Sequence, residues 1–245
     1  MPFPLQGLDE HYGMEADDYF EHHDTETKRT GALGLIKQAE ILVGNKGRLL
    51  DIGSGRGEVL IAAKQQGWDA VGIEPSSSFA ERLRQHGVVI KQEPVEHCGF
   101  EESSFDVVIL AAVLEHLYNP DETIREISRI LRPGGALFLD VPNEHGLYFK
   151  MGNLYLKLRQ RDWVVNLAPT FSPFHVFGFG SKSLRRLLSK YGFSIAKWEV
   201  YGGTSLVPGR QGFVGLIEQQ AARFVTFLSN FAELGTYIEV WAIRK

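Results

Sequence analysis

The sequence predicts an α/β fold, a doubly wound and mainly parallel sheet with helices on both faces. Short apolar runs of strand length alternate with segments whose apolar residues recur three and four positions apart. Turn residues bound the strands, while Ser or Asp precedes the helical segments and Gly follows them. The 245 residues are 44% hydrophobic and contain no Pro- or Ser-rich linker, so a single core is expected.

Seven segments have the length and composition of strands, and four segments between them have helical periodicity. The predicted strands are RLLDIG, WDAVGIE, VVIK, FDVVILAA, ALFLDVP, FSIAKWEV and YIEVWAIR. The predicted amphipathic helices are EVLIAAKQQG, SSSFAERLRQHG, PDETIREISRILRPGG and SKSLRRLLSKYG. In a sheet of this kind, ligands bind beyond the carboxyl ends of the strands. We therefore expect the functional residues in the loops that follow the strands.

Composition excludes several classes of protein. Lys and Arg number 26 against 30 Asp and Glu, giving a formal net charge of -4 and no global basic field for nucleic acid. The single cysteine, Cys98, excludes an intrachain disulfide framework and a cysteine-clustered zinc site, and no metal site is predicted. The acidic start and the lack of an apolar run of about 18 residues predict neither export nor a membrane span. A cytoplasmic protein is expected.

The stretch LLDIGSGRGEVL has the pattern of a ligand-binding loop between a strand and a helix. Gly53, Gly55 and Gly57 alternate after the strand, and a helix is predicted to open at about Glu58. Glu58 stands where a dinucleotide fingerprint needs its third glycine, and its charge disfavours a pyrophosphate there. Asp51 favours instead a ligand with a cation, and S-adenosylmethionine carries an ammonium, a carboxylate and a sulfonium. A purely structural glycine turn is the alternative.

Glu74 ends the second predicted strand, in VGIEPSS. A carboxylate at this position, 21 residues after Gly53, can accept both hydroxyls of a ribose. The alternative is a solvated strand end. Because the glycine loop and the acid occur together, we favour ribose recognition.

These motifs carry a family resemblance. DIGSGRG, IEPS and SSFDVVILAAVLEHLYNPDETIREISRILRPGGALFLDVPN together resemble the class I S-adenosylmethionine-dependent methyltransferases over residues 48–143. The later block FHVFGFGSKSLRRLLSKYGFSI is similar to the ending of the branch that includes small-molecule and sugar methyltransferases. The resemblance implies a Rossmann-like sheet of seven strands, six parallel and the last antiparallel, with the cofactor across the ends of the first four.

The resemblance also implies a set of cofactor-binding residues, at the carboxyl ends of the first four strands and in the segments that follow them. They are Asp51, Gly53, Ser54, Gly55, Gly57, Glu74, Pro75, Val95, Ala112 and Val113.

One block departs from the family pattern. After the third strand the family usually has an acid near the adenine amino group, whereas this chain has EPVEHCGF, with Pro94 at the aligned position. Glu93 and Glu96 are possible substitutes for that acid. The backbone around Val95, with apolar packing, is the other way in which adenine can be held.

The segment LAAVLEH follows the fourth strand, where Ala112 and Val113 are small enough to let the cofactor pass closely. Methyltransferases that act on nucleobase amino groups typically place a tetrapeptide such as N-P-P-Y here. Its absence, with the acidic net charge, argues against a nucleobase as the acceptor.

Two histidines are candidate bases for a hydroxyl acceptor. His175, in SPFHVFGF, is the first candidate because imidazole titrates near neutrality and this residue lies between an aromatic segment and the next helix. His116, after the fourth strand, is the second. For both, a structural hydrogen bond is the alternative. His22 and His23 are weaker candidates, with a solvated surface as the default.

A basic segment is predicted to form an amphipathic helix. It contains Lys150, Lys157, Arg159 and Arg161, interleaved with Leu147, Phe149, Leu154 and Leu158. Three interpretations stay open: a solvated face over a packed one, a site for an anionic acceptor, and peripheral contact with a membrane.

The predicted function is S-adenosylmethionine-dependent methyl transfer to a small or medium-sized molecule, with oxygen as the favoured acceptor atom. Methyl transfer from a sulfonium needs alignment and water exclusion more than it needs catalytic side chains. The alternatives are a non-catalytic module that binds S-adenosylmethionine or a partner and, less favoured, a nicotinamide-dependent dehydrogenase.

We predict a single methyltransferase domain, 1–245, in four parts. Residues 1–45 form an N-terminal cap with a helix through GLIKQAEIL, and residues 46–142 form the cofactor-binding core. Residues 143–180 are an aromatic-rich insertion, predicted to act as a lid. Residues 181–245 complete the sheet and include a predicted helix in VGLIEQQAARFVTFLSNFAEL.

Overall fold

The computed structural model describes residues 25–161, 175–202, 220 and 233–245. The strands in these ranges are β1 (Arg48–Ile52), β2 (Asp69–Ile73), β3 (Val89–Lys91), β4 (Phe105–Ala111), β5 (Leu131–Pro142), β6 (Phe193–Tyr201) and β7 (Tyr237–Arg244). The α-helices are α1 (Thr25–Val43), α2 (Glu58–Gln65), α3 (Ser77–Gln85), α4 (Pro120–Ile130), α5 (Leu147–Leu158) and α6 (Ser181–Lys190). Short 3-10 turns cover Val95–His97 and Leu114–His116.

The seven strands form one sheet with the order β3-β2-β1-β4-β5-β7-β6. β1 is parallel to β2 and β4, β2 is parallel to β3, and β4 is parallel to β5. β7 lies between β5 and β6 and is antiparallel to both. The predicted sheet, with six parallel strands and an antiparallel last one, is confirmed. Its strand order reverses at β1, where β2 and β4 flank the central strand and a ligand crevice is expected.

Both faces of the sheet are covered. Alternate residues of a strand point to opposite faces, so Leu50 belongs to one apolar cluster and Leu49 to the other. α4 contributes Ile124 and Ile127 to the first cluster, and α1 contributes Ile36 to the second; all of these side chains are fully buried. The sheet is therefore doubly wound, as the alternation of strands and helices predicts.

Local sequence explains where α4 begins. The Asn119 side chain accepts a hydrogen bond from Glu122 N at 3.3 Å, and Pro120 occupies the first helical position, where its missing N–H is not needed. The buried side chains Ile124, Ile127 and Ile130 recur at helical spacing and place one face on the sheet. The same pattern of apolar spacing predicted this helix from the sequence.

The basic segment forms a helix that is only partly packed onto the fold. A helix forms there, α5, and Phe149 is buried. Leu154 and Leu158, however, are 58% and 76% exposed, so these leucines do not pack onto the fold as a buried face would. Within the described residues, none of the helices has the length and hydrophobicity to cross a bilayer.

Several predictions fall on residues that the structure does not describe. His22 and His23 lie outside the described residues, as do 162–174 of the proposed lid and most of the helix predicted in VGLIEQQAARFVTFLSNFAEL. The division of the chain into four parts stays a prediction.

Candidate active site

The glycine loop connects the end of β1 to the start of α2. The amides of Gly53 and Ser54 both donate to the carbonyl oxygen of Ile73, the last residue of β2, at 2.8 and 3.0 Å. The Ser54 hydroxyl donates to the Asp51 carbonyl oxygen at 2.9 Å. These bonds fix the loop at the carboxyl ends of the two strands, where the sequence predicts the cofactor.

Glycine occupies the three loop positions for different physical reasons. All have positive φ, at 73°, 48° and 79° for Gly53, Gly55 and Gly57. A Cβ at Gly53 would overlap the Val113 side chain, and one at Gly57 would overlap Leu83, so packing requires these two glycines. A Cβ at Gly55 would meet only the Gly53 carbonyl, 4.0 Å away. Gly55 therefore leaves open space beside its backbone, which suits a ligand that approaches the main chain.

Glu74 joins the loop to the end of β2. Its Oε2 accepts a hydrogen bond from Gly55 N at 2.7 Å, and its Oε1 accepts one from Ser76 N at 2.9 Å. The side chain is buried, and burial raises its pKa, although the two amides oppose this. A carboxylate fixed in this way has acceptor capacity left for the hydroxyls of a ribose.

Asp51 is a buried acid at the floor of the crevice. It is 3% exposed, and burial, followed by the charge of Glu74, raises its pKa to about 8. A cationic ligand group would offset that burial cost and favour the charged carboxylate. Glu58, the acid that replaces a third fingerprint glycine, forms an ion pair with Arg56 at 3.3 Å.

The predicted cofactor-binding residues after the second and third strands differ in accessibility. Pro75 is exposed, whereas Val95 is only 3% exposed as a whole residue and its side chain belongs to the core. Of the two substitute acids, Glu96 accepts a hydrogen bond from the Thr123 hydroxyl, while Glu93 is exposed. Glu93 also accepts a hydrogen bond, from Gln92 N at 3.2 Å, so these contacts do not separate the two acids.

Ala112 and Val113 follow β4 and border the glycine loop. Ala112 has a φ of 54°, a conformation that is uncommon for residues other than glycine. Its amide donates to the Asp140 carbonyl oxygen at 2.9 Å, which fixes this turn to β5. Val113 occupies the space above Gly53, so the predicted proximity of the two segments is present in the structure.

The turn after Val113 brings both candidate bases together. The rings of His116 and His175 lie 4.9 Å apart between centroids, and His116 Nε2 is 4.0 Å from Glu115 Oε1. Glu115 is 2% exposed, and burial raises its pKa to about 8. A carboxylate and two imidazoles are also donor types that a divalent metal accepts.

A pocket of about 350 Å³ lies on the α1 face of the sheet, at the carboxyl ends of β4 and β5. Gly31 and Gly34 of α1 form one wall, and Ala111, Asp140 and Glu239 lie on three neighbouring strands opposite. Its volume is in the range of small-molecule sites. The charge of Asp140 contributes to the raised pKa of Glu115, so this pocket and the histidine pair are electrostatic neighbours.

The pocket residues Asp140 and Glu239 were not predicted from the sequence. The Tyr201 hydroxyl donates to both Asp140 oxygens at 3.3 Å, while burial and the charge of Glu239 raise the pKa of Asp140 to about 6. The Lys197 ammonium forms its ion pairs with Glu199 and Glu239 and not with Asp140. The basic residues of α5 do not line this pocket.

A family model described as a methyltransferase domain matches residues 27–197. The chain belongs to the methyltransferase-domain family. The predicted membership of a methyltransferase family is thereby confirmed.

Curated relatives of this methyltransferase-domain protein include the ubiquinone biosynthesis O-methyltransferase of Pectobacterium atrosepticum, 31% identical over 49% of the chain and 52% of the relative. The corresponding protein of Bordetella avium is 30% identical over 40% of the chain and 44% of the relative. The chain therefore spans about half the length of the curated relatives it matches.

Solved structures support the fold. A SAM-dependent methyltransferase from Archaeoglobus fulgidus superposes with a TM-score of 0.61 at 16% identity, covering 88% of this chain and 94% of that one. A SAM-dependent methyltransferase from Thermotoga maritima, described as a possible histamine N-methyltransferase, gives 0.60 at 20% identity, covering 96% and 100%. At these identities the likeness concerns the fold alone.

Proposed function

We propose that this methyltransferase-domain protein transfers the methyl group of S-adenosylmethionine to an oxygen of a small molecule. The observation that carries the proposal is the loop around Gly55, which offers open backbone between two fixed carboxylates, Asp51 and Glu74. The same arrangement suits a ligand with an ammonium at one end and a ribose at the other. Oxygen as the acceptor atom is supported by the O-methyltransferases among the relatives.

The residues of the glycine loop and of the neighbouring strand ends bind the cofactor in this proposal. Asp51 receives the amino-acid end of the cofactor, Glu74 accepts the ribose hydroxyls, and Ala112 and Val113 border the reacting end. When bound, the cofactor supplies a methyl group already activated by a positive sulfur. Transfer of this methyl group to the acceptor oxygen would break the carbon–sulfur bond and leave the sulfur as a neutral thioether.

The acceptor occupies the pocket between α1 and the strand ends in this proposal. Ala111 lines that pocket and directly precedes Ala112, so the pocket adjoins the cofactor crevice. The hydroxyl proton of the acceptor leaves through the cluster of Glu115, His116 and His175. Asp140 and Glu239 line the pocket together with Lys197, which pairs with Glu239 at 3.4 Å. The remaining negative charge favours a neutral or cationic acceptor over an anionic one, which was one of the three interpretations of the basic segment.

Methyl transfer from isotopically labelled S-adenosylmethionine tests the proposal. The chain is incubated with matched phenols, aliphatic alcohols, amines and thiols, and products are identified by mass spectrometry and NMR. Methyl ethers are expected. The Gly55→Val variant is the control, because its branched side chain would occupy the open space beside the loop. Cofactor binding without any methyl product would favour the non-catalytic alternative, and products methylated only at nitrogen or sulfur would contradict the choice of oxygen.

A further inference from the structure

One buried oxygen in the active-site region has no partner. Glu115 is 2% exposed, and among the described residues its Oε2 makes no hydrogen bond. Burying a carboxyl oxygen without a partner is costly, so buried polar atoms in folded proteins are nearly always bonded to protein, water or an ion. The position of this oxygen therefore indicates a group that the described residues do not supply.

The backbone brings two imidazoles to the same place. The Glu115 carbonyl oxygen accepts hydrogen bonds from Val176 N at 2.8 Å and Phe177 N at 3.0 Å. These bonds join the turn after β4 to the segment that precedes α6. His116 and His175 are the neighbours of the bonded residues in the two segments, so main-chain hydrogen bonds, rather than side-chain packing alone, set their proximity.

The donor atoms converge closely enough for one ion. One nitrogen from each ring and one Glu115 oxygen all lie within 4.8 Å of one another. In a tetrahedral site with bonds of about 2.0–2.2 Å, ligand atoms stand roughly 3.3 Å apart. Side-chain rotations that move the donors by about 1 Å would close this difference without any change of backbone.

We propose that Glu115, His116 and His175 bind a divalent transition-metal cation of the Zn²⁺ type. Two imidazoles and one carboxylate form a donor set used for catalytic zinc and non-haem iron, whereas Mg²⁺ and Ca²⁺ prefer oxygen ligands. Three protein ligands leave a coordination position open. Glu115 lies at the closed side of the cluster, while His116 is 15% exposed, so the open position faces the accessible side.

The role of the cation rests on the proposed function. A hydroxyl bound to a divalent cation is a stronger acid, so the acceptor oxygen would become nucleophilic without proton transfer to a histidine. In the metal-bound chain the two histidines act as ligands, and the proton-transfer role described above applies to the metal-free chain. The turn that carries the cluster directly follows Ala112 and Val113, which places it beside the expected methyl group.

Metal binding is measured on the full chain saturated with S-adenosylhomocysteine. The protein is treated with a chelator, dialysed and titrated with Zn²⁺, Mn²⁺ or Mg²⁺ by calorimetry, and bound metal is counted by mass spectrometry. One equivalent of Zn²⁺ is expected, with weaker Mn²⁺ binding and no measurable Mg²⁺ binding. Cobalt substitution should give the visible absorption of a four- or five-coordinate site.

Three variants and one control test the ligands. Zn²⁺ binding should weaken at least about 100-fold in each of the variants His116→Asn, His175→Asn and Glu115→Gln. This loss exceeds the one expected when a residue that only hydrogen-bonds to a metal ligand is replaced. His97→Asn is the matched control, because His97 also ends a 3-10 turn directly after a glutamate but is exposed. Only variants that bind S-adenosylhomocysteine like the unaltered chain are compared, so a folding defect in Glu115→Gln leaves the two histidine variants decisive.

Two results would overturn the metal site: less than about 0.2 equivalents of Zn²⁺, or equal affinity in His175→Asn and His97→Asn. The metal site and the proposed function can be tested separately. Methyl ether formation by the chelator-treated, metal-free chain would support O-methylation and remove the cation from the reaction. Stoichiometric Zn²⁺ binding without any methyl transfer would support the site and contradict the proposed function.

Discussion

The amide of Gly55 donates a 2.7 Å hydrogen bond to Glu74, so one carboxylate joins the glycine loop to the end of β2. The second oxygen of Glu74 accepts from Ser76, which begins the approach to α3. A carboxylate has about four acceptor positions, and these two amides use half of them. Glu74 thus shapes the loop and retains the capacity to bind a diol, so loop order and the proposed ribose recognition depend on one side chain.

Replacing Glu74 by Ala should lower the affinity for S-adenosylhomocysteine at least about tenfold. Each hydrogen bond to a charged acceptor is worth roughly 1.5–3 kcal/mol, and the loop also loses its attachment. Calorimetry measures the change. Glu81→Ala is the control, since Glu81 is an exposed acid of α3 outside the crevice. Equal affinity in Glu74→Ala and the unaltered chain would remove Glu74 from the site.

Gly57 and Gly44 have nearly the same φ, 79° and 80°, but different surroundings. A Cβ at Gly44 meets nothing within 4 Å, whereas one at Gly57 overlaps Leu83. Gly44→Ala should lower the free energy of unfolding by about 1–2 kcal/mol, the cost of the left-handed conformation. Gly57→Ala should cost clearly more, because Leu83 must also move. Denaturant unfolding of both variants checks this. Equal decreases in the free energy of unfolding would show that the Leu83 side chain moves aside without cost.

Asp51 should make the cofactor-free chain less stable as pH rises. Its pKa is about 8 in the folded chain, above the ordinary 3.8, so the folded state binds the proton more tightly. This contribution is complete below about pH 4 and is lost as pH rises through 8. Between these limits one group contributes up to about 1.4 kcal/mol per pH unit. Urea unfolding from pH 5.5 to 8.5 should show a shallower decline in Asp51→Asn than in the unaltered chain or in Asp69→Asn, an exposed control. Equal slopes would contradict the shift.

The cofactor loop could be predicted because its signals are local. A strand pattern, alternating glycines and a helix start lie within LLDIGSGRGEVL, and the acid of VGIEPSS ends the next strand. Parallel pairing of consecutive strands brings such neighbouring loops to one edge of the sheet. The structure accordingly joins Gly55 and Glu74 directly.

The pocket proposed for the acceptor could not be predicted, because its residues meet through a non-local strand order. β7 enters between β5 and β6, which makes Glu239 the partner of both Asp140 and Glu199. Each of these acids, taken alone, resembles an ordinary polar residue near a strand end. The convergence of His116 and His175 also depends on long-range backbone bonds to Glu115, for which the sequence has no local pattern.

The two glycines of α1 should limit the size of the acceptor. A Cβ at Gly34 meets nothing within 4 Å, so a larger side chain there enters the pocket rather than the core. Helix-interior glycine costs roughly 0.8–1 kcal/mol relative to alanine, so Gly34→Ala should raise stability. Gly34→Leu should raise the KM for the acceptor at least about tenfold and leave S-adenosylhomocysteine binding unchanged.

The Gly34 variants are measured by steady-state kinetics and by thermal unfolding. Lys37→Leu is the control, because it places the same side chain on an exposed part of α1 outside the pocket. An unchanged acceptor KM in Gly34→Leu would show that the acceptor binds elsewhere.

His175→Asn should slow methyl transfer to oxygen without weakening cofactor binding. The proton of a hydroxyl acceptor must leave during the reaction, and His175 belongs to the cluster beside the expected methyl group. The segment itself is held by main-chain bonds from Val176 and Phe177 to Glu115, which the substitution does not remove. A single-turnover rate lowered about 100-fold is expected, with unchanged affinity for S-adenosylhomocysteine and an unchanged unfolding midpoint. His116→Asn should show a smaller loss. A parallel fall in rate, cofactor affinity and stability would instead assign His175 a structural role, and full activity in both variants would exclude the histidines from catalysis.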